Sequence, residues 1–141
     1  MKAPDQRTGT LLGVVLLFGG VLMLTYWGLY LTGLADLGQS DPVRAGFEAA
    51  FLLADILLGT LLFLAGWMLL RRRPGGPYLM VVAAAMSLYL GLLDLVFYSR
   101  RGLFDSIGGA GAFELVLIGT CLIGGSACLG VGWKLWSGGA S

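Results

Sequence analysis

From Thr8 to Ala35 the chain carries no charged side chain for 28 consecutive positions. A membrane crossing takes about 20 predominantly apolar residues, so this run is long enough to span with tilt. Three further runs follow, about 46–70, 77–98 and 112–136, the first of them stopping at Arg71-Arg72-Arg73. Hydrocarbon offers the backbone no other hydrogen-bond partners, so lipid-facing segments of this kind are helices. The expected fold is an all-α integral membrane protein: a single domain over residues 1–141, four transmembrane helices (spans about 9–34, 46–70, 77–98 and 112–136), antiparallel and up-down-up-down. Composition agrees, with 57% hydrophobic and 12% charged residues against about 25% charged in soluble domains. A cleaved signal peptide is a weaker reading of the first run, because its apolar stretch far exceeds the usual ~7–15 residues.

Several function classes drop out. There is no histidine, which excludes bis-His haem, His-ligated metals and a Ser-His-Asp triad. No cofactor and no metal set is expected. The net charge of +1 gives no case for nucleic acid. Cys121 and Cys128 lie about 10 Å apart along one helix, too far for a disulfide between them. They read as small packing residues.

Positive charge on short loops sets orientation. With the N-terminus inside, the cytoplasmic side holds Lys2, Arg7, Arg71, Arg72, Arg73 and Lys134, and the outer side only Arg44, Arg100 and Arg101. Both termini are therefore expected in the cytoplasm, in a bacterial plasma membrane. Trp67, Tyr78, Trp133 and Trp136 fit an inner aromatic belt, and Tyr26, Trp27, Tyr30 and Tyr98 an outer one. "RRRPGGP" reads as a topological anchor and a tight turn.

The acids inside the spans are harder to explain, since an ionised Asp at mid-membrane costs about 2.5–3.5 kcal/mol on insertion scales. The helical rise converts residue counts into depth. Asp55 and Asp94 stand about 24 and 26 Å above the cytoplasmic boundary, Glu114 about 30 Å and Glu48 about 35 Å. With a hydrocarbon core of about 30 Å, two carboxylates share a level in the outer third and two lie at its edge. In the third span Met80, Ala84, Ser87, Gly91, Asp94 and Tyr98 form one stripe. Glu114, Ile118, Cys121, Gly125, Cys128 and Gly132 do so in the fourth, and Glu48, Leu52, Asp55, Gly59, Leu62 and Gly66 in the second. Small residues mark close contacts between membrane helices, so these stripes, acids included, should face inward.

The expected site is an outer-leaflet acidic pocket built from Asp55, Asp94, Glu114 and Glu48, with Tyr26, Tyr89 and Tyr98 around it and Arg100 at its rim. Such a pocket suits binding or transport of a small cationic or amphipathic ligand. A membrane-embedded enzyme acting on a lipid-like substrate by carboxylate acid/base chemistry is the alternative, although no nucleophile-plus-base pair is visible. An accessory subunit of a larger membrane complex, or a homo-oligomer, would need only packing faces. Interhelical hydrogen bonds in membranes average about 0.6 kcal/mol. That is a small return for two acids held at one depth purely as structural contacts.

Overall fold

In the computed structural model, residues 6–34, 42–102 and 110–138 are described, without the side chains of residues 6, 7, 44, 48, 110, 111 and 138. Among them there are helices and turns and no strand. The helices are α1 (Gln6–Leu31), α2 (Pro42–Leu70), α3 (Gly75–Arg100), α4 (Ala110–Gly119) and α5 (Gly125–Gly138). A π-helical turn, Thr120–Gly124, joins α4 to α5, so the two make one span with an interruption. Four stretches are long and apolar enough to cross a membrane: Thr8–Leu31, Ala49–Leu70, Gly75–Arg100 and Ala112–Ser137.

Local chemistry explains where these elements stop. α1 ends three residues short of the expected boundary because Gly33 takes φ +71. The Leu34 N–H then reaches the Leu29 carbonyl and the Gly33 N–H that of Tyr30, the two bonds of a Schellman cap. The turn after α2 repeats the pattern, with Arg73 bonding Met68 and Arg72 bonding Leu69. Here the left-handed position is Arg72, at φ +52. α2 and α3 each begin earlier than expected and take a proline into the first turn, Pro42 and Pro77. The missing N–H costs nothing there, because those groups have no intrahelical acceptor.

Hydroxyl groups on lipid-facing surface are satisfied within their own helix, as a bilayer requires. Thr60 Oγ1 donates to the Ile56 carbonyl and Thr120 Oγ1 to that of Val116, both at 2.8 Å.

Glycines set the packing of α1 on α2. Gly13 faces Gly66 and Leu70, and Gly20 faces Gly59 and Phe63, so positions rising along α1 meet positions falling along α2. Along α3 and the fourth span, Gly91 meets Cys121, Gly125 meets Ala84 and Leu88, and Gly132 meets Met80 and Val81. The expected stripes are the contact faces at Gly59, Gly66, Gly91, Gly125 and Gly132.

The helices follow one another in space: α2 lies against α1, α3 against α2, and α3 against α4 and α5. Among the described residues no Cα of α1 comes within 8 Å of α3, α4 or α5. At the Arg71–Arg73 end, side chains of all four spans converge on a core of Leu16, Ala65 and Met80, with Leu12, Cys128 and Val131 packed against it. Toward the opposite end the core divides. Leu58, Ala83 and Leu90 join α2 to α3, with Met23 of α1 packed against them. Tyr98 and Ile118 join α3 to α4.

Candidate functional site

The acids belong to that divided end. The Phe47 ring stacks on Phe97 at 3.6 Å and 6°, while at the other end Gly75 and Gly76 abut Met68 and Leu69. Interpolating between these contacts sets Asp55 level with Tyr89. A Cβ at Gly91 would stand 2.8 Å from the Cys121 Cβ, so Gly91 and Cys121 share a level on neighbouring spans, about 3 Å beyond that of Asp55 by the helical rise. Asp94 lies about one turn beyond and Glu114 about 10 Å beyond Cys121 by the helical rise.

Glu114 is buried, at 9% exposure, and is the one charged residue so enclosed among the described residues. It neighbours the enclosed pair Tyr98 and Ile118, which lie one turn or less from its level. Asp55 and Asp94 are half-buried. Asp55, Asp94, Glu114, Tyr26 and Tyr98 each have at least one polar, ring or electrostatic partner, and no enclosed side-chain nitrogen or oxygen among the described residues lacks a hydrogen bond.

The other expected members separate. Tyr98 is buried beside the Phe47–Phe97 stack, 6.2 Å from Phe47 and edge-on to it. Tyr26 is half-buried and packs edge-on against Trp27. Tyr89, at 62% exposure, points away from the protein, as does Arg100. The neighbouring Arg101 sits 5.8 Å over the Phe97 ring. The Glu48 side chain lies outside the described residues. No group of three or more metal-ligating side chains occurs among the described residues.

Two features at this level were missed from the sequence. One is the π turn itself, a form found mostly as single turns inside α-helices and often at functional sites. The other is the bond that fastens it: Ser87 Oγ of α3 donates to the Cys121 carbonyl at 3.2 Å. The stretch "GTCLIGG" carried a signal, since Gly119 and Gly125 flank the turn and Gly124 ends it, but glycines in membrane helices usually report packing.

No protein-family model, no curated protein and no solved structure matches the chain. Chemistry at the site therefore rests on its own residues. Three carboxyl groups are spread over about 13 Å of the axis at the end where the apolar core divides, near the buried Tyr98 and an irregular helix. Such a set can hold positive charge or exchange protons.

Proposed function

We propose that the chain is a multi-pass protein of the bacterial cytoplasmic membrane whose outer-leaflet acidic site binds, and on one reading transports, a small cationic or amphipathic ligand. The single observation behind this reading is the burial of Glu114, at the end of the bundle that also carries the half-buried Asp94 and Asp55. A carboxylate enclosed by helices is costly in hydrocarbon and marks a functional site by default. Apolar walls at Ile118 and Leu90 beside acidic groups suit a ligand with a cationic end and an apolar body.

The proposed topology is antiparallel and up-down-up-down with both termini in the cytoplasm. Its support is the opposed progression of contacts between successive helices and the excess of Lys and Arg on the N-terminal side. The acids then belong to the outer leaflet.

Tetraphenylphosphonium, an apolar cation, is a suitable probe. Purified protein in nanodiscs should bind it saturably, and Asp55→Asn and Asp94→Asn should each weaken binding while the helical content stays constant. Equal binding by wild type and both variants would rule out the acidic site as its location.

A further inference from the structure

We propose that an apolar slot runs between α1 and the fourth span from the level of Asp55 down to Gly19, and that it takes the alkyl chain of a single-chain cationic amphiphile whose charged head stays at Asp55. This rests on the cation-binding reading above and adds where the apolar body of such a ligand lies.

Two inward glycines face space instead of a neighbour. On α1, Leu12, Leu16, Gly19, Met23, Tyr26 and Tyr30 follow the 4-3-4-3-4 spacing of one helical face. Leu12 and Leu16 pack into the core at the Arg71–Arg73 end, and Met23 packs against that of Leu58, Ala83 and Leu90. The stripe therefore faces inward. Gly19, in its middle, has nothing within 4 Å of where a Cβ would stand. On the fourth span Gly124, Cys128, Val131 and Leu135 share a face, and the last three pack on the same core as Leu12. Gly124 also has nothing within 4 Å of its Cβ position. Gly13, Gly20 and Gly125, by contrast, each meet a neighbouring helix. Among the described residues no Cα of α1 comes within 8 Å of the fourth span, so this seam is the wide one.

The register of the helices gives the slot its depth. Gly20 meets Gly59 and Phe63, a contact centred at the level of Leu61. Six residues farther out along each helix, Tyr26 and Asp55 share a level. Gly19 lies seven residues below Tyr26, about 10 Å by the helical rise. Gly124 is three residues from Cys121, which brings it within about 2 Å of the Asp55 level.

Asp55 stands where it can hold a charge at the top. It lies four residues before Gly59, which meets Met23 and Leu24 of α1, and three before the buried core residue Leu58. Residues three and four apart share a helical face, so Asp55 lies between the α1 contact and the interior. Below it the surroundings are apolar, with Met23, Leu16 and Cys128. A cationic head with one aliphatic chain matches that sequence of a charge above and hydrocarbon below. The spaces are those of two absent side chains, which suits one chain. With C–C bonds of about 1.5 Å in a zigzag, about eight carbons cover the depth.

Equilibrium dialysis of octyltrimethylammonium against the protein in nanodiscs, corrected for protein-free nanodiscs, tests this. Gly19→Leu and Gly124→Leu put a side chain into the slot. Each should weaken binding by at least about tenfold, as expected when the chain must overpack to enter. Gly28→Leu, exposed and off the inward stripe with nothing within 4 Å, should bind as wild type does. A chain series in the wild-type protein reads the same slot without any substitution. Affinity referred to free ligand in water should rise from butyl- to octyltrimethylammonium and then level off at dodecyl. A chain lying in the bilayer would keep gaining with each methylene. Unchanged binding in Asp55→Asn would sink the cation-binding reading and the slot with it. Weakened binding in Asp55→Asn with none in Gly19→Leu and Gly124→Leu, or a further rise from octyl to dodecyl, overturns the slot alone.

Discussion

A Cβ on Gly66 would stand 2.6 Å from the carbonyl oxygen of Gly13 and 2.5 Å from the backbone nitrogen of Leu17. Backbone cannot step aside as a side-chain tip can, so α1 and α2 meet at a distance that only glycine permits. Gly20 repeats the situation, 2.6 Å from the Phe63 nitrogen and 2.7 Å from the Gly59 carbonyl. The two approaches lie about two turns apart on α1, and among the described residues no other helix brings its Cα atoms within 8 Å of α1.

Gly66→Ala and Gly20→Ala should therefore loosen α1. Each is expected to cost about 1–3 kcal/mol, the range for overpacking. Gly19 is the control, since nothing lies within 4 Å of its Cβ position. There the ordinary helix preference for Ala, about 0.5–1 kcal/mol, should dominate. Thermal or SDS unfolding in detergent measures all three. Equal stability of Gly20→Ala and Gly19→Ala would refute the close approach.

The Schellman turn after α2 carries strain that can be removed. Arg72 is exposed and holds φ +52, which costs a residue with a Cβ about 1–2 kcal/mol. Arg72→Gly should recover on the order of 1 kcal/mol, with Arg71 and Arg73 keeping the charge that anchors this end. Arg73→Gly, outside the left-handed position, should bring no such gain. Stability measured side by side decides it.

Much of this architecture was legible in the sequence because lipid narrows the choices. Long uncharged runs can only be helices, and the glycine and acid stripes named the contact faces at Gly59, Gly91 and Gly125. The reading went less far where geometry departs from the regular helix. A depth count gave Glu114 no special weight, since it placed that group at the outer edge. Its enclosure depends on how α4 lies against Tyr98. Tyr89 sits at a suitable depth yet faces outward, because depth fixes only the axial coordinate and 100° per residue fixes the rest. The π turn was invisible because no local preference separates it from an α-helix flanked by glycine.

Topology is open to a direct test. Pro74 is exposed in the turn between α2 and α3, and the proposed orientation, from the positive-inside rule, would put that turn in the cytoplasm. A cysteine at Pro74, in the Cys121→Ala/Cys128→Ala background, should resist an impermeant maleimide in intact cells and react once the membrane is opened. A cysteine at Ser99, at the opposite end of α3, should react from outside. The reverse pattern would invert the orientation and move the acids to the inner leaflet.

The carboxylates separate structural from functional roles. Asp55→Asn and Asp94→Asn preserve shape and one acceptor oxygen and remove the charge. If the acids only tie helices together, the loss per site should be near the ~0.6 kcal/mol of an average interhelical bond, with tetraphenylphosphonium binding unaffected. A site that holds positive charge predicts something different. Each variant should unfold within about 1 kcal/mol of wild type, yet lose at least about tenfold in affinity, equivalent to about 1.4 kcal/mol. Glu114→Gln should behave likewise if its buried carboxyl faces the same ligand. The double variant Asp55→Asn/Asp94→Asn should lose less than the sum of its parts, because groups acting on one bound charge couple by about 0.5–3 kcal/mol. Strict additivity in the binding free energies, measured by equilibrium dialysis in nanodiscs, would mean that Asp55 and Asp94 do not share a ligand.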